Sequence, residues 1–540
     1  MTQIHSEDEL NDYSKQELKQ MVLSMQEQLT RMNQNYENLI EQIRIANQNR
    51  FGRKSEKLDV LEGQLSFFDE AEALSAEKST EPEYEEIIRR KKPKKKGQRE
   101  EDLKGFPEEE HRHGISDEEL DSAFGKGSWR RLPDEEYKRL RYEPASWTVE
   151  KHIVEVAVGI DGRHQDEFLR GERPADLIKN SIATPSLVAA IYNVKYVNHA
   201  PYYRIEQEFE RNGVCISRQT MANWSIQCSD RYLKPLYGRL KEELLKYHVN
   251  QCDETRVTVI RDGRPAGTDS WMWMHRSGEF YKDRPVILYE YQKTRHHQYP
   301  EEFYKDFQGV LVTDGLQQYH MLEGLINGFT NANCWAHARR DFADAIKAIG
   351  KSDEKAIKQS VAYQALARIG AVYKVEEGLS ELSPKERLRE RQKSVKPLVE
   401  EYFAWVKERL ADTSVLPKGK TAQGLNYSVN QEKYLRVFLE DGEVPIDNSA
   451  SERSIRPFTT GRRNWLFINS IKGASSSAVI YSIAETAKAN NLNPYYYFRH
   501  ILTELAKIYQ MYGEIPPTEL DALLPWSEEL PEICHKRERR

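Results

Sequence analysis

The sequence predicts an α/β fold, with a sheet-bearing core that is interrupted by a long helical insertion and preceded by helical and β-rich modules. Three observations carry that expectation. Strand-like runs alternate with a helical segment between residues 246 and 315. The residues from about 341 to 440 have helical periodicity. Three acids, Asp253, Asp314 and Glu452, stand in three different local contexts, as a site that gathers hard cations requires. At 540 residues the chain exceeds one ordinary domain, and roughly three or four units are expected.

From Leu18 the apolar residues recur at alternating steps of four and three through Val22, Met25, Leu29, Met32, Tyr36, Leu39, Ile43 and Ala46. This seam predicts a coiled coil within residues 1–50; the competing reading is an amphipathic helix folded onto its own chain. Residues 51–100 are charged, lack apolar periodicity and end in RRKKPKKKGQR, where eight of eleven residues are cationic. That run, with Lys94, Lys95 and Lys96, reads either as a solvated linker or as an arm that neutralises phosphates. Residues 101–175 read as a small β-rich module, with SWTVEKHIVEVAV (146–158) alternating like a half-buried strand. Residues 176–245 read as helices. There Gly213 ends one helix and Ser217 caps the next, and exposed Arg218, Gln219 and Asn223 present themselves to DNA if the pair is a helix-turn-helix. A plain helical hairpin packed by Ile216 and Trp224 fits the same pattern.

The core begins at YHVNQCDETRVTVI, whose alternation places Val249, Gln251, Asp253 and Thr255 on one face and Glu254 on the other. Strand-like SWMWMHRS and PVILYEYQKT follow, then helical YPEEFYKDF, then GVLVTDG. In the last, a buried-strand run delivers Asp314 to a strand's C-terminal edge, where α/β sheets keep their sites. Three strands, a helix and a fourth strand, with acids on the first and fourth, match the ribonuclease H arrangement. The third acid belongs on a helix: Pro445, Asp447 and Asn448 give a start signal, so Glu452 falls in its first turns. Asp447 is the alternative third ligand if that helix starts later. Residues 246–340 and 441–490 are thus two parts of one core around the insertion at 341–440, and residues 491–540 form a C-terminal helix and tail.

The strings CDET, VTDG, NCWAHARRDF and above all DNSASERSIRPFTTGRRNWLF resemble the bacterial insertion sequence 66 family of transposases. The likeness runs from FGRKSEKL to the helix near Asn493. It implies a DDE enzyme with a ribonuclease H-like core, in which Asp253, Asp314 and Glu452 hold two Mg2+ ions, with Mn2+ as a substitute. It further implies strand cleavage at element ends, transfer into target DNA, a homodimer or higher oligomer, and small accessory proteins. Members commonly carry a cysteine-based zinc module in the stretch that corresponds to 100–175. Here that stretch has no cysteine, only His111, His113, His152 and His164, so no structural zinc is expected.

Arg453, Arg456, Arg462, Arg463 and Lys472 cluster around Glu452, either as phosphate contacts or as a solvated helix face. Trp465 with Phe467 reads as core, with base stacking as the alternative. Cys334 and His337 are spaced like half a zinc site but lack a second half nearby, so they are expected to pack the insertion against the active site. Lys and Arg number 80 against 86 Asp and Glu, a net charge of −6, so DNA contact must come from local clusters. Five scattered cysteines fit a reducing compartment, and no apolar run approaches a membrane span. The expectation is a cytoplasmic protein, nucleoid-associated when bound to DNA. The rival readings are a catalytically silent DNA-binding regulator and a nuclease without strand transfer.

Overall fold

The computed structural model describes residues 174–536 apart from 266, 350–353 and 412–418; upstream it describes only short pieces of residues 14–32 and 118–170. The chain divides into two compact units, one of residues 1–79 with 175–535 and one of residues 80–174 with 536–540. Lys94, Lys95, Lys96 and the rest of the basic run lie outside the described residues, as does most of the coiled-coil stretch. The described residues of 15–32 are helical, and Val22, Met25, Leu29 and Met32 of the apolar seam are exposed.

In the smaller unit, β1 (Val156–Val158) pairs antiparallel with β2 (Phe168–Arg170). The strand expected over 146–158 is therefore only its last three residues. Val149 and Ile153 are 93 % and 80 % exposed, so the alternation upstream has no apolar surface to face.

In the larger unit, helices α1 (Pro185–Tyr192), α2 (Tyr202–Arg211), α3 (Arg218–Cys228) and α4 (Lys234–Leu245) come first. The turn before α3 follows the signals in the sequence. Gly213, at φ 77°, lets its N–H reach Glu210 O while Val214 N–H reaches Phe209 O, the paired bonds that close a helix C-terminus on glycine. Ser217 Oγ accepts from Thr220 N at 3.1 Å and starts α3. Helix α3 buries Met221, Trp224 and Cys228 and exposes Arg218, Gln219 and Asn223.

The sheet follows, with β3 (Val249–Arg261), β4 (Asp269–Ser277), β5 (Ile287–Gln292), β6 (Gly309–Thr313), β7 (Phe329–Asn333) and β8 (Ile468–Ser470). Its order is β5-β4-β3-β6-β7, with β8 on the far end of β3. The first three strands are antiparallel; β3, β6 and β7 are parallel. Helix α5 (Gln298–Tyr304) joins β5 to β6, and α6 (Gln317–Leu325) joins β6 to β7. Strand β6 is buried from end to end because both its faces are covered. Leu311 faces a core shared with α1 to α4, while Val310 and Val312 face a second core shared with the insertion.

The insertion comprises α7 (Trp335–Ile349), α8 (Glu354–Gln359), α9 (Val361–Glu377), α10 (Pro384–Glu390), α11 (Lys396–Ala411), α12 (Lys420–Asn430) and α13 (Glu432–Leu435). Its second core gathers Trp335, Phe342, Ile369, Val399, Tyr402 and Phe438. The chain then returns through α14 (Ser449–Trp465), α15 (Ile471–Ala489) and α16 (Pro494–Tyr512). Helix α15 covers the outer edge of β5: Thr486 Oγ1 accepts from Ile287 N at 3.0 Å and Ser482 Oγ from Tyr289 N at 2.7 Å. Helix hydroxyls thus satisfy an edge that would otherwise pair with another chain. No helix among the described residues is long and apolar enough to cross a membrane.

Burial pushes the Glu290 carboxyl on β5 up to about 7, against the opposing pull of the Lys241 ammonium. The fold holds this proton at pH values where the unfolded chain has already lost it, so stability falls as pH rises from the ordinary glutamate range to about 7. Glu290→Gln should flatten that slope and leave the variant more stable than the parent at pH 8, by on the order of 2 kcal/mol. Urea melts of both proteins from pH 5 to 8 check this; parallel slopes would refute it.

Candidate active site

Register and anchoring place the three acids on adjoining elements. Strands β3 and β6 run parallel with Gln251 opposite Val312, so two residues further on Asp253 of β3 and Asp314 just past β6 stand at the same edge. Asp314 is followed by Gly315 at φ 86°, where a Cβ would meet Tyr427 Oη at 2.6 Å and Asn333 Nδ2 at 2.8 Å. Only glycine turns the chain there, and Tyr427 Oη donates to Asp314 O at 3.1 Å.

Glu452 arrives on α14, whose first residues are bolted to β3. Asn448 Nδ2 donates to Cys252 O at 2.7 Å, and Gln251 Nε2 donates to Asn448 Oδ1 at 3.2 Å. Asn448 therefore caps no N–H of its own helix with its side chain and instead fixes that helix beside Asp253. Arg276 of β4 adds a second bolt, donating to Ala450 O at 3.0 Å and Ser454 Oγ at 2.9 Å. Glu452 lies in the first turn of α14.

The acids lie near enough for their charges to act on Asp253. Burial pushes the Asp253 carboxyl well up, and the charges of Glu254, Asp314 and Glu452 push it further. Among the described residues Asp253 has no cationic partner; its Oδ1 accepts the Glu254 N–H at 2.8 Å. Burial also raises Asp314, against the opposing Arg295 and Arg340 guanidiniums. Arg295 Nη2 lies 3.9 Å from Asp314 Oδ2, and Arg340 Nη2 lies 4.0 Å from Glu452 Oε1.

Arg295, Arg340 and the role of Glu254 were missing from the sequence reading. Glu254 does leave the Asp253 face, but it is buried and held by Arg295 Nε at 2.6 Å and by the Tyr319 hydroxyl. Through Arg295 it is tied back to Asp314. Arg340 stands inside NCWAHARRDF, the string that carried part of the resemblance, so its position was signalled though its partner was not; Arg295 had no such signal.

The donor chemistry suits a hard divalent cation: carboxylate oxygens, one of them without a cation and destabilised by like charges. The spacing is not closed, since among the described residues no three His, Cys, Asp or Glu side chains are gathered to hold one metal ion. Arg295 and Arg340 bring positive charge to Asp314 and Glu452.

Cys334 and His337 sit at the start of α7. Cys334 is buried and its Sγ accepts the Asn448 N–H at 3.1 Å, which joins the insertion to the helix of the third acid. Burial drops the His337 imidazole to about 3, so it stays neutral. Asp447 is turned to the insertion, accepting from Tyr373 Oη at 3.0 Å and Ser449 N at 2.9 Å.

The remaining predicted DNA contacts divide. Arg453 is paired with Glu279 at 2.6 Å, and Arg462 pins α14 to β3 by donating to Thr255 Oγ1 at 3.0 Å and to Arg256 O. Arg463 is exposed without a carboxylate partner among the described residues, and Arg456 has a polar partner. On α3, Arg218 lies 4.0 Å from Glu206, and Gln219 Nε2 donates to Asn223 Oδ1 at 3.1 Å. Trp465 packs on Phe458 with ring centroids 5.5 Å apart, but Phe467 is 51 % exposed, contrary to the core reading.

Comparison with known proteins places this arrangement in context. The family model described as "Transposase IS66 family" matches residues 180–476, and "IS66 C-terminal element" matches 482–526. A third, "Transposase C of IS166 homeodomain", matches 38–110. Among curated proteins, "Uncharacterized protein y4qI" of Sinorhizobium fredii (strain NBRC 101917 / NGR234) is 28 % identical over 375 residues, covering 68 % of this chain and 66 % of the relative. "Uncharacterized protein y4jD" of the same strain is 27 % identical over 378 residues, covering 67 % and 70 %. The chain thus spans about two thirds of the length of the curated relatives it matches.

Proposed function

The chain belongs to the IS66 transposase family, and from that premise we propose that it is a DDE-type DNA transposase whose active site is Asp253, Asp314 and Glu452. The observation that carries this reading is the placement of the three acids on adjoining elements, two by the β3–β6 register and one by the Asn448 bolt. The strand order, with an antiparallel trio and two parallel strands, supports a ribonuclease H-like core. The domain plan that accompanies it is a coiled coil in 1–50, a basic linker to 100, a zinc-free β module to 175, a helical DNA-binding region to 245, and a core split by the insertion.

Asp253, Asp314 and Glu452 are the groups that would hold Mg2+, or Mn2+ in its place. When bound, such an ion supplies charge neutralisation at the phosphate and a lowered pKa for its water. The chain's own residues do the rest. Arg295 and Arg340 oppose the burial that raises Asp314, and Arg340 places a positive charge 4.0 Å from Glu452. Arg276 and Asn448 hold the helix of Glu452 against the sheet, so the third carboxylate is positioned before substrate arrives. Arg463 of α14, exposed without a carboxylate partner among the described residues, meets a phosphate. Hydrolysis frees a 3′ hydroxyl at the element end, and that hydroxyl attacks target DNA in the same site. The partners are double-stranded DNA, a second copy of the chain through its N-terminal helix, and accessory proteins of the element; the compartment is the bacterial cytoplasm, at the nucleoid.

The test is a joining assay with the full chain, Mg2+ and DNA that carries the element's ends. Cleavage followed by ligation-free joining of a 3′ end to a second duplex is expected. Cleavage without joining would make the chain a nuclease, and DNA binding without cleavage a regulator.

A further inference from the structure

Where α14 ends, the backbone takes an unusual course. Leu466 has φ 63° and ψ −48°, and Phe467 N donates to Trp465 O at 2.7 Å. This is the strained form of the γ-turn, with a branched residue at its centre where glycine would be expected. The turn cannot relax, because both its ends are clamped. On one side Trp465 packs on Phe458 and Leu466 N is bonded to Arg462 O at 2.7 Å. On the other, β8 pairs with β3 through Val259–Ile468 and Arg261–Ser470.

The strain serves no packing purpose. Leu466 is 67 % exposed, Phe467 51 %, and neighbouring Ile260 of β3 48 %. A strained backbone that pushes apolar side chains into water is a reason to look for what they meet. The surroundings answer in charge. Arg256, Arg462 and Arg463 line an open pocket of about 390 Å³ with Val257, Thr258 and Leu466. Among the described residues, the carboxylate that pairs with one of these arginines is Asp269, 3.3 Å from Arg256. With Arg462 engaged by β3, the exposed guanidiniums of Arg256 and Arg463 beside an apolar tip complement a strand of phosphates with bases to stack on it, not an apolar protein face.

We propose that Leu466 and Phe467 form a wedge that enters the base stack of bound DNA, while Arg256 and Arg463 hold phosphates of the strand it displaces. The proposal rests on the transposase reading and adds to it a device for opening the duplex. The distance fits. Arg256 to Thr258 lie three to five residues along β3 from Asp253, roughly 10–17 Å at a strand's rise, which is about three to five base steps of a duplex. Bases parted there lie close to the phosphate presented to the carboxylates.

The experiment uses the full chain without divalent metal and short blunt duplexes that carry 2-aminopurine near one end, whose fluorescence rises when it is unstacked. The wild-type chain should raise that fluorescence severalfold. Leu466→Gly suits the positive φ, so the variant should melt no lower than the parent while losing most of the rise. Phe467→Ala should weaken binding roughly tenfold. Arg463→Gln should lower the slope of log affinity on log salt by about 1. Wild-type binding with no change in fluorescence, or a Leu466→Gly variant that keeps the full rise, would overturn the wedge. A variant that unstacks bases normally but no longer associates with a second protein would also overturn it, making the tip a protein contact. Cleavage and joining that persist without unstacking remove the wedge alone, whereas a chain that binds no DNA removes the transposase reading too.

Discussion

On the proposed reading, Asp253→Asn should abolish metal-dependent cleavage and make the metal-free chain more stable. Both effects come from one electrostatic fact. Asp253 is desolvated and faces Glu254, Asp314 and Glu452, so its carboxylate is held at a cost that a neutral amide of the same shape does not carry. Arg295 serves Glu254 and Asp314, and Arg340 serves Glu452, which leaves Asp253 as the acid without a countercharge among the described residues. Removing its charge should raise stability by about 0.5–2 kcal/mol, the range typical of relieving a functional strain. On the proposed reading, the same change takes a hard ligand from the site. Loss of several kcal/mol of transition-state stabilisation corresponds to a rate lowered on the order of 10³-fold or more. A third readout connects the two. Mg2+ should raise the melting temperature of the parent by mass action and leave that of the variant unchanged. A variant that still cleaves, or that melts lower than the parent without metal, would show that Asp253 is a structural acid.

The acids were legible because each is delivered by a pattern that sequence displays. An alternating strand set the face of Asp253, a buried run before glycine set Asp314, and a capping signal set the helix of Glu452. Strand β7 was not legible. FTNAN reads as polar, yet Asn331 and Asn333 are buried, the first donating to Leu311 O and Thr313 Oγ1, the second to Gln431. Burial of amides becomes visible only when their partners are known. Strand β8 was hidden in the same way, since its short ladder depends on β3 extending past the main sheet. Phe467 misled for the opposite reason. An aromatic beside Trp465 suggests core, but the clamped turn at Leu466 throws the chain outward. Arg295 and Arg340 are the general case of residues whose role lies in a partner distant in sequence, and no periodicity reports such a pair.

Arg391→Ala should remove much of the insertion's stability and loosen the candidate site with it, although Arg391 is buried within the insertion. Its side chain is fully buried. The guanidinium binds Glu376 through Nε at 2.9 Å and Nη2 at 2.7 Å. Its Nη1 donates to three carbonyls, Phe438 at 2.8 Å, Asp441 at 2.9 Å and Val444 at 2.8 Å. Those carbonyls belong to the segment that leaves the insertion and runs into α14. Arg387 holds the same segment by donating to Gly442 O at 2.7 Å. Alanine would leave Glu376 as an unpaired buried charge and the carbonyls without donors, a loss of about 3–5 kcal/mol. The consequence reaches the site because residues 438–448 form one continuous tether. Asp441 is bonded to His248 at 2.7 Å, Trp335 N to Ile446 O at 3.2 Å, and Asn448 to Cys252 and Cys334. When the tether loosens, Glu452 is no longer set against Asp253. Glu376→Gln provides the control, since the arginine then keeps its carbonyls and a neutral partner and should lose less. Urea melts should order the variants as parent, Glu376→Gln, Arg391→Ala, and amide exchange in Arg391→Ala should quicken across residues 438–452 before it does in β3 or β6. Equal protection of that segment in parent and Arg391→Ala would mean that the third acid is held by the sheet alone, and that the insertion is an appendage to the site instead of its support.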